Sequence, residues 1–401
     1  MGSQADAGET GRGRERSSTA VVWAGLTALA IAMGIGRFAF TPLLPMMRDD
    51  AGLSVAGGGW LASANYVGYL LGALSATALR LRPATAIRAA LVVIGIVTLG
   101  MGLEHRFPAW LVLRGLAGIG SAWVLVFASA FCLERLAPFQ RPLLNGAVFA
   151  GVGTGIAVAG GLCLVLMRVG ASSGEAWIGL GGLSLAGTAL IWWSFGSDDH
   201  AGTGHVRPSP ARGWRWDGES VRLVLCYGTF GFGYIIPGTF LPVMARQLVH
   251  DPAVFGWSWP VFGAAAAVSP LAAARWARPG GSRRVWIAGH LVMALGVALP
   301  VFWPTIGSIM VAALLVGGTF MVITLAGMQE ARAAAGPHAR GLMATMTSAF
   351  AAGQIAGPLA VGYMIGPDGD FSRPLLLACA LLVASAGSLC RPAAPPAQPP
   401  R

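Results

Sequence analysis

Two arginines stand where a permanent cation is expensive. Arg37 lies in "GIGRFAFTPLLP" (Gly34–Pro45) and Arg114 opens "RGLAGIGSA" (Arg114–Ala122), each surrounded by small and apolar residues. A charge near the middle of a bilayer costs about 2.5–3.5 kcal/mol on insertion scales, so it needs a partner or a wet cavity. The chain has 16 carboxylates to offer, and none falls inside an apolar run. Two guanidiniums without counter-ions at a central cavity would form an anion site, because each presents a rigid fork of donors matched to a carboxylate or phosphate. The competing reading puts Arg37 toward the far end of its run, reaching Asp49 or Asp50 at the interface. For Arg114, helix packing or gating is the stronger expectation. Gly118 and Gly120 behind it suit close helix approach.

No other chemistry competes. The five cysteines sit in or beside apolar runs with no C-x-x-C, and there is no H-E-x-x-H and no phosphate-loop lysine. Neither a cofactor, a metal nor an enzyme activity is expected. His290 is the one histidine inside an apolar run and a weak candidate for carrying a proton.

The elements that must position these arginines are membrane helices. Of 401 residues, 55% are hydrophobic and only 11% charged, against about 25% charged in a soluble domain. Twelve apolar runs approach the roughly 20 residues that span a bilayer. They cover 19–45, 57–79, 88–103, 110–133, 143–167, 177–195, 222–244, 254–274, 285–303, 306–329, 341–364 and 373–390. All 27 basic residues are arginine. With both termini cytoplasmic, 20 of them fall on the inner side and five outside, as the positive-inside rule requires. The net charge of +11 is therefore spread over membrane loops, which excludes nucleic acid as its partner.

Sliding the chain by 197 residues lays "GIGRFAFTPLLPMM" over "GFGYIIPGTFLPVM" (Gly231–Met244) without a gap, and eight identities fall in 27 positions. Arg37 then corresponds to Tyr234, and the match reappears one residue out of step at "LERL" (Leu133–Leu136) and "QEAR" (Gln329–Arg332), where Glu134 faces Glu330. Parallel repeats of this kind put a transported solute between the two halves near mid-membrane. The expected division is a disordered tail over 1–18, a six-helix bundle over 19–195, a cytoplasmic link over 196–221, a second bundle over 222–390 and a proline-rich tail over 391–401.

With this layout, its basic central loop and "RGLAGIGSA", the chain resembles the major facilitator superfamily. "GRFAFTPLLP", "YGTFGFGYIIPGTFLP" (Tyr227–Pro242) and "LVGGTFMVITLAGMQEAR" (Leu315–Arg332) resemble its YbfB/YjiJ-like bacterial branch. The resemblance implies an all-α fold of twelve transmembrane helices in two pseudo-symmetric bundles, in the inner membrane of a bacterium, working as a monomer by alternating access. It also implies a charge latch near the second loop. There "RLRPATAIR" keeps Arg80 and Arg82 but has no aspartate, which leaves Glu134, spaced from Arg141 as in sugar porters, as a replacement. Glu330 and Arg340 hold the related positions in the second half. Organic-phosphate antiporters of the superfamily pair two symmetric arginines. One arginine and one tyrosine favour a monoanion such as a carboxylate. Thr41, Asn65, Tyr66, Tyr227, Tyr234 and Gln354 complete the expected substrate set around Arg37. Three questions stay open: an organic anion or a lipophilic drug, import or export, and whether a proton is coupled. A non-transporting receptor of the same fold is the alternative of another class.

Overall fold

A computed structural model describes residues 18–78, 82–139, 142–195, 217–276, 281–336, 339–366 and 369–391. The link over 196–216, both tails, Arg80 and Arg141 lie outside the described residues, as does the side chain of Arg340.

Among the described residues twelve long helices follow one another: α1 Ser18–Asp50, α2 Val55–Ala78, α3 Pro83–Leu103, α4 Phe107–Leu136, α5 Pro142–Arg168, α6 Ser173–Ile191, α7 Gly218–Leu248, α8 Ser258–Trp276, α9 Ser282–Phe302, α10 Ile306–Ala335, α11 Ala339–Met364 and α12 Ser372–Leu389. Ten helical segments are long and apolar enough to cross a membrane by themselves. The other two long helices, α2 and α11, carry the buried polar side chains Ser63, Asn65 and Gln354. Helices suit this solvent because every backbone bond closes within the segment. Where the chain leaves lipid, side chains take over the orphan amides. Ser172 and Glu175 cap α6 reciprocally, and Asp217 caps α7 through Ser220.

The packing repeats as the sequence does. In the first half α2 lies on α4, α3 on α4 and α6, and α1 on α5; in the second α8 lies on α10, α9 on α10 and α12, and α7 on α11. The halves meet through α2 with α11 and through α5 with α8, which exchange under the same pseudo-two-fold. Glycine sets these distances. A Cβ on Gly153 would lie 2.2 Å from the Ala267 amide nitrogen, and one on Gly263 2.3 Å from that of Ala157, so the two backbones touch. Trp60 and Trp257, counterparts under the 197-residue shift, are both half exposed at the side opposite the termini.

Candidate substrate site

The first helix is not regular. Ala30–Phe38 is wound as a π-helix, and Pro42 and Pro45 follow within two turns. A π segment and prolines both disturb the ordinary i→i−4 ladder and leave carbonyls for outside donors. Those donors are present. Ser121 Oγ donates to the Ala32 carbonyl at 2.7 Å, and Asn65 Nδ2 to the Gly36 carbonyl at 3.2 Å. Arg114 donates Nη1 to the Gly36 carbonyl at 3.3 Å and Nη2 to the Arg37 carbonyl at 3.0 Å. The Arg114 guanidinium also lies 4.9 Å over the Phe40 ring. Asn65 spends the same amide on the Arg114 carbonyl at 2.9 Å, which ties α2 to α4. Arg114 thus braces a broken helix with two of its three nitrogens, Nε alone being unpartnered, and Arg37 is left as the guanidinium with an open edge.

The Arg37 side chain is 3% exposed, and Nε and Nη2 have no hydrogen-bond partner. Aromatic rings cover its faces instead: Tyr69 at 4.2 Å from the guanidinium carbon, Tyr66 at 5.0 Å and Phe38 at 5.2 Å. Each ring is worth about 0.5–2 kcal/mol to a cation, and the Tyr69 hydroxyl is also hydrogen-bonded to the Arg37 side chain, but Nε and Nη2 gain no partner. The two carboxylates considered for it are committed elsewhere. Asp49 pairs with Arg246, and Asp50 takes the Ser173 amide and hydroxyl, the latter at 2.8 Å.

The second half supplies the opposite wall. Tyr234 is stacked between Phe320 and Phe350, with centroids 5.5 Å away on each side and ring planes within 7°. Its hydroxyl accepts from Gln354 Nε2, while Gln354 Oε1 is buried without a partner. Arg37 lies within electrostatic range of the Tyr66, Tyr69 and Tyr234 hydroxyls, and Tyr227 lies within that range of Tyr69. Four of the five tyrosines of the chain therefore gather here. Tyr69 was not among the expected residues. Its signal was its place three residues after Tyr66, on the same helix face.

The pseudo-two-fold passes between α1 and α7. Thr41 Oγ1 donates to the Gly238 carbonyl at 2.7 Å, and Arg246 pairs with Asp49. In both cases the partners are 197 residues apart, so each residue touches its own repeat counterpart. Thr41, expected to face the solute, spends its hydroxyl on a bond between the halves. Tyr66 lies at that seam as well, with its hydroxyl 3.3 Å from Thr239 Oγ1. Tyr227 packs on Phe230, Phe350 and Trp286.

Glu134 is exposed in the last turn of α4, and Arg82 is exposed at the start of α3. The second half holds a cluster that the sequence had hidden. Glu219, assigned to the link, lies in the first turn of α7 and binds Arg222 and, at 2.8 Å, Arg283. Glu330 accepts from Ser282 and lies 4.0 Å from Arg283. His290 accepts from Trp286 Nε1 at 3.1 Å and packs on Phe230, so it is buried within the second bundle.

Twin bundles of six helices, with polar side chains from both gathered at their seam, define a secondary transporter of the major facilitator type. The chain belongs to the family described as "Uncharacterised MFS-type transporter YbfB", which matches residues 29–389. Among solved structures it is similar to the nucleoside transporter NupG, both as a point mutant (TM-score 0.71, 14% identity) and in a second structure (TM-score 0.69, 13% identity). Each likeness covers 92% of this chain and 98% of the other. No curated protein matches it by sequence.

Proposed function

We propose that the solute is a small organic monoanion, anchored by Arg37 between the two halves. The observation that carries this is a guanidinium, 3% exposed, with two N–H-bearing nitrogens unpartnered. Leaving such donors dry costs about 1–3 kcal/mol or more, and an arriving carboxylate removes that cost. A single free cation suits a monoanion better than a dianionic phosphate. Arg37, Tyr66 and Tyr69 belong to the first half and Tyr234 and Gln354 to the second, so a bound anion would bridge them and bias their rocking. The arginine distribution favours cytoplasmic termini in a bacterial inner membrane. We read the chain as a monomeric carrier without enzymatic turnover, in keeping with its transporter family. Glu330, held beside Ser282 and Arg283, is the proposed stop for a coupled proton.

One observation favours a second reading. The aromatic stack of Phe320, Tyr234 and Phe350 would also hold a lipophilic compound. A thermal-stability screen of wild type and Arg37→Ala against anionic, neutral and cationic compounds separates the two, since a ligand raises the midpoint by mass action. Small carboxylates should stabilise wild type alone and then be taken up by proteoliposomes. Equal shifts in both proteins from lipophilic compounds alone would put the drug reading first.

A further inference from the structure

Resting on that anion reading, we infer that the solute is a hydroxylated monocarboxylate: its carboxylate lies side-on against Nε and Nη2 of Arg37, and its hydroxyl is read by Gln354.

The two free atoms of Arg37 are adjacent ones. Nε–H and the neighbouring Nη2–H point the same way along one edge of the guanidinium plane, and a carboxylate meets that edge with two parallel hydrogen bonds. The faces of the plane are already used by Tyr69, Tyr66 and Phe38. What is left unbonded is one edge, whose geometry matches a planar two-oxygen group. Tyr69, the nearest ring at 4.2 Å, is a positioning residue that fixes the direction of this edge.

Across the seam, the Gln354 amide is half used. One end is bonded to Tyr234, and the other is fully buried with nothing to bond. Ser63 on α2 donates to the Ile355 carbonyl at 2.9 Å, which sets Gln354 beside the α2 face that carries Tyr66, whose ring lies 5.0 Å from the Arg37 guanidinium, so the open amide end and the open guanidinium edge belong to one seam. A hydroxyl both donates and accepts, so it satisfies that end whichever way the amide is turned. A plain fatty acid would leave the Gln354 end dry. A neutral polyol would leave the Arg37 edge dry. A hydroxy acid satisfies both, and its two ends touch different halves of the transporter.

The test is binding of matched pairs, propanoate with lactate and hexanoate with gluconate, to the full chain in detergent, with glycerol and inorganic phosphate alongside. Wild type should bind the hydroxylated member of each pair about tenfold more tightly, the size of one well-made buried hydrogen bond. Gln354→Met should remove that preference and keep the affinity for propanoate, whereas Arg37→Ala should lose every carboxylate. Tyr69→Phe keeps the ring but loses the hydroxyl bonded to Arg37, and should weaken all carboxylates less than Tyr69→Leu, which removes both. Equal binding of each pair by wild type, with loss in Arg37→Ala, overturns the hydroxyl assignment and leaves the anion site standing. Tighter binding of inorganic phosphate than of any carboxylate also overturns it. Binding of none of these anions, or binding untouched by Arg37→Ala, overturns the anion reading as well. If Gln354→Met does not fold, the wild-type pairs decide alone.

Discussion

Arg37 and Arg114 are equally buried, at 3% and 2% exposure, and both come from the first half, yet they are satisfied in opposite ways. Arg114 gives two N–H groups to the carbonyls that the π segment of α1 exposes, and its charge rests on Phe40. Arg37 is wrapped in rings and keeps the edge formed by Nε and Nη2 unbonded. The difference teaches that burial of a cation does not by itself mark a site. Ownership of its hydrogen bonds does. A guanidinium with backbone partners is part of the scaffold, and one lacking them holds free energy in reserve for a ligand.

The comparison breaks most visibly at Arg114. Arg114→Met should cost about 3 kcal/mol in a denaturant titration, because two buried carbonyls lose charged donors at roughly 1–3 kcal/mol each. A loss below about 1 kcal/mol would mean that water or Asn65 serves those carbonyls instead. Next comes the helix contact that puts Arg114 in place. A Cβ on Gly118 would lie 2.1 Å from the Asn65 carbonyl oxygen, so Gly118→Ala must push α2 from α4. It should destabilise by about 1–3 kcal/mol, as overpacking does, and weaken anion binding through the displaced Tyr66 and Tyr69. Unchanged stability would show that the two helices can separate freely. The smallest effect belongs to the exposed pair at the seam. Asp49→Asn should cost under about 1 kcal/mol of stability but shift the population toward the state in which α1 and α7 part, read by accessibility of a cysteine placed at Thr41. Exchanging the charges, Asp49→Arg with Arg246→Asp, should restore the wild-type accessibility.

Much of this architecture was legible. Twelve apolar runs became twelve long helices, and the 197-residue shift that aligned glycines and prolines also paired Thr41 with Gly238 and Asp49 with Arg246 in space. Sequence reading leaned to packing for Arg114 and to the solute for Arg37, but it could not name the partners of either, because those depend on which carbonyls a helix leaves open. The π winding of Ala30–Phe38 carries no local signature beyond its glycines. Nothing in the sequence ranks Tyr69 against Tyr66, two tyrosines on one helix face. Glu219 was hidden by the boundary of α7, which begins four residues before the apolar run, at Gly218 rather than Arg222, and so brings this carboxylate onto Arg283. Helix ends are set by caps such as Asp217, which hydropathy does not see.

The central claim is that Arg37 is kept for a ligand and not for the fold. Its most direct test is the ligand-free stability of Arg37→Met, measured beside Arg114→Met under the same conditions. Replacing a buried cation that keeps an unbonded edge with an apolar side chain of similar length should leave the protein within about 1 kcal/mol of wild type, or more stable, while abolishing its response to carboxylates. A loss as large as that of Arg114→Met would make Arg37 a second structural arginine and contradict the account.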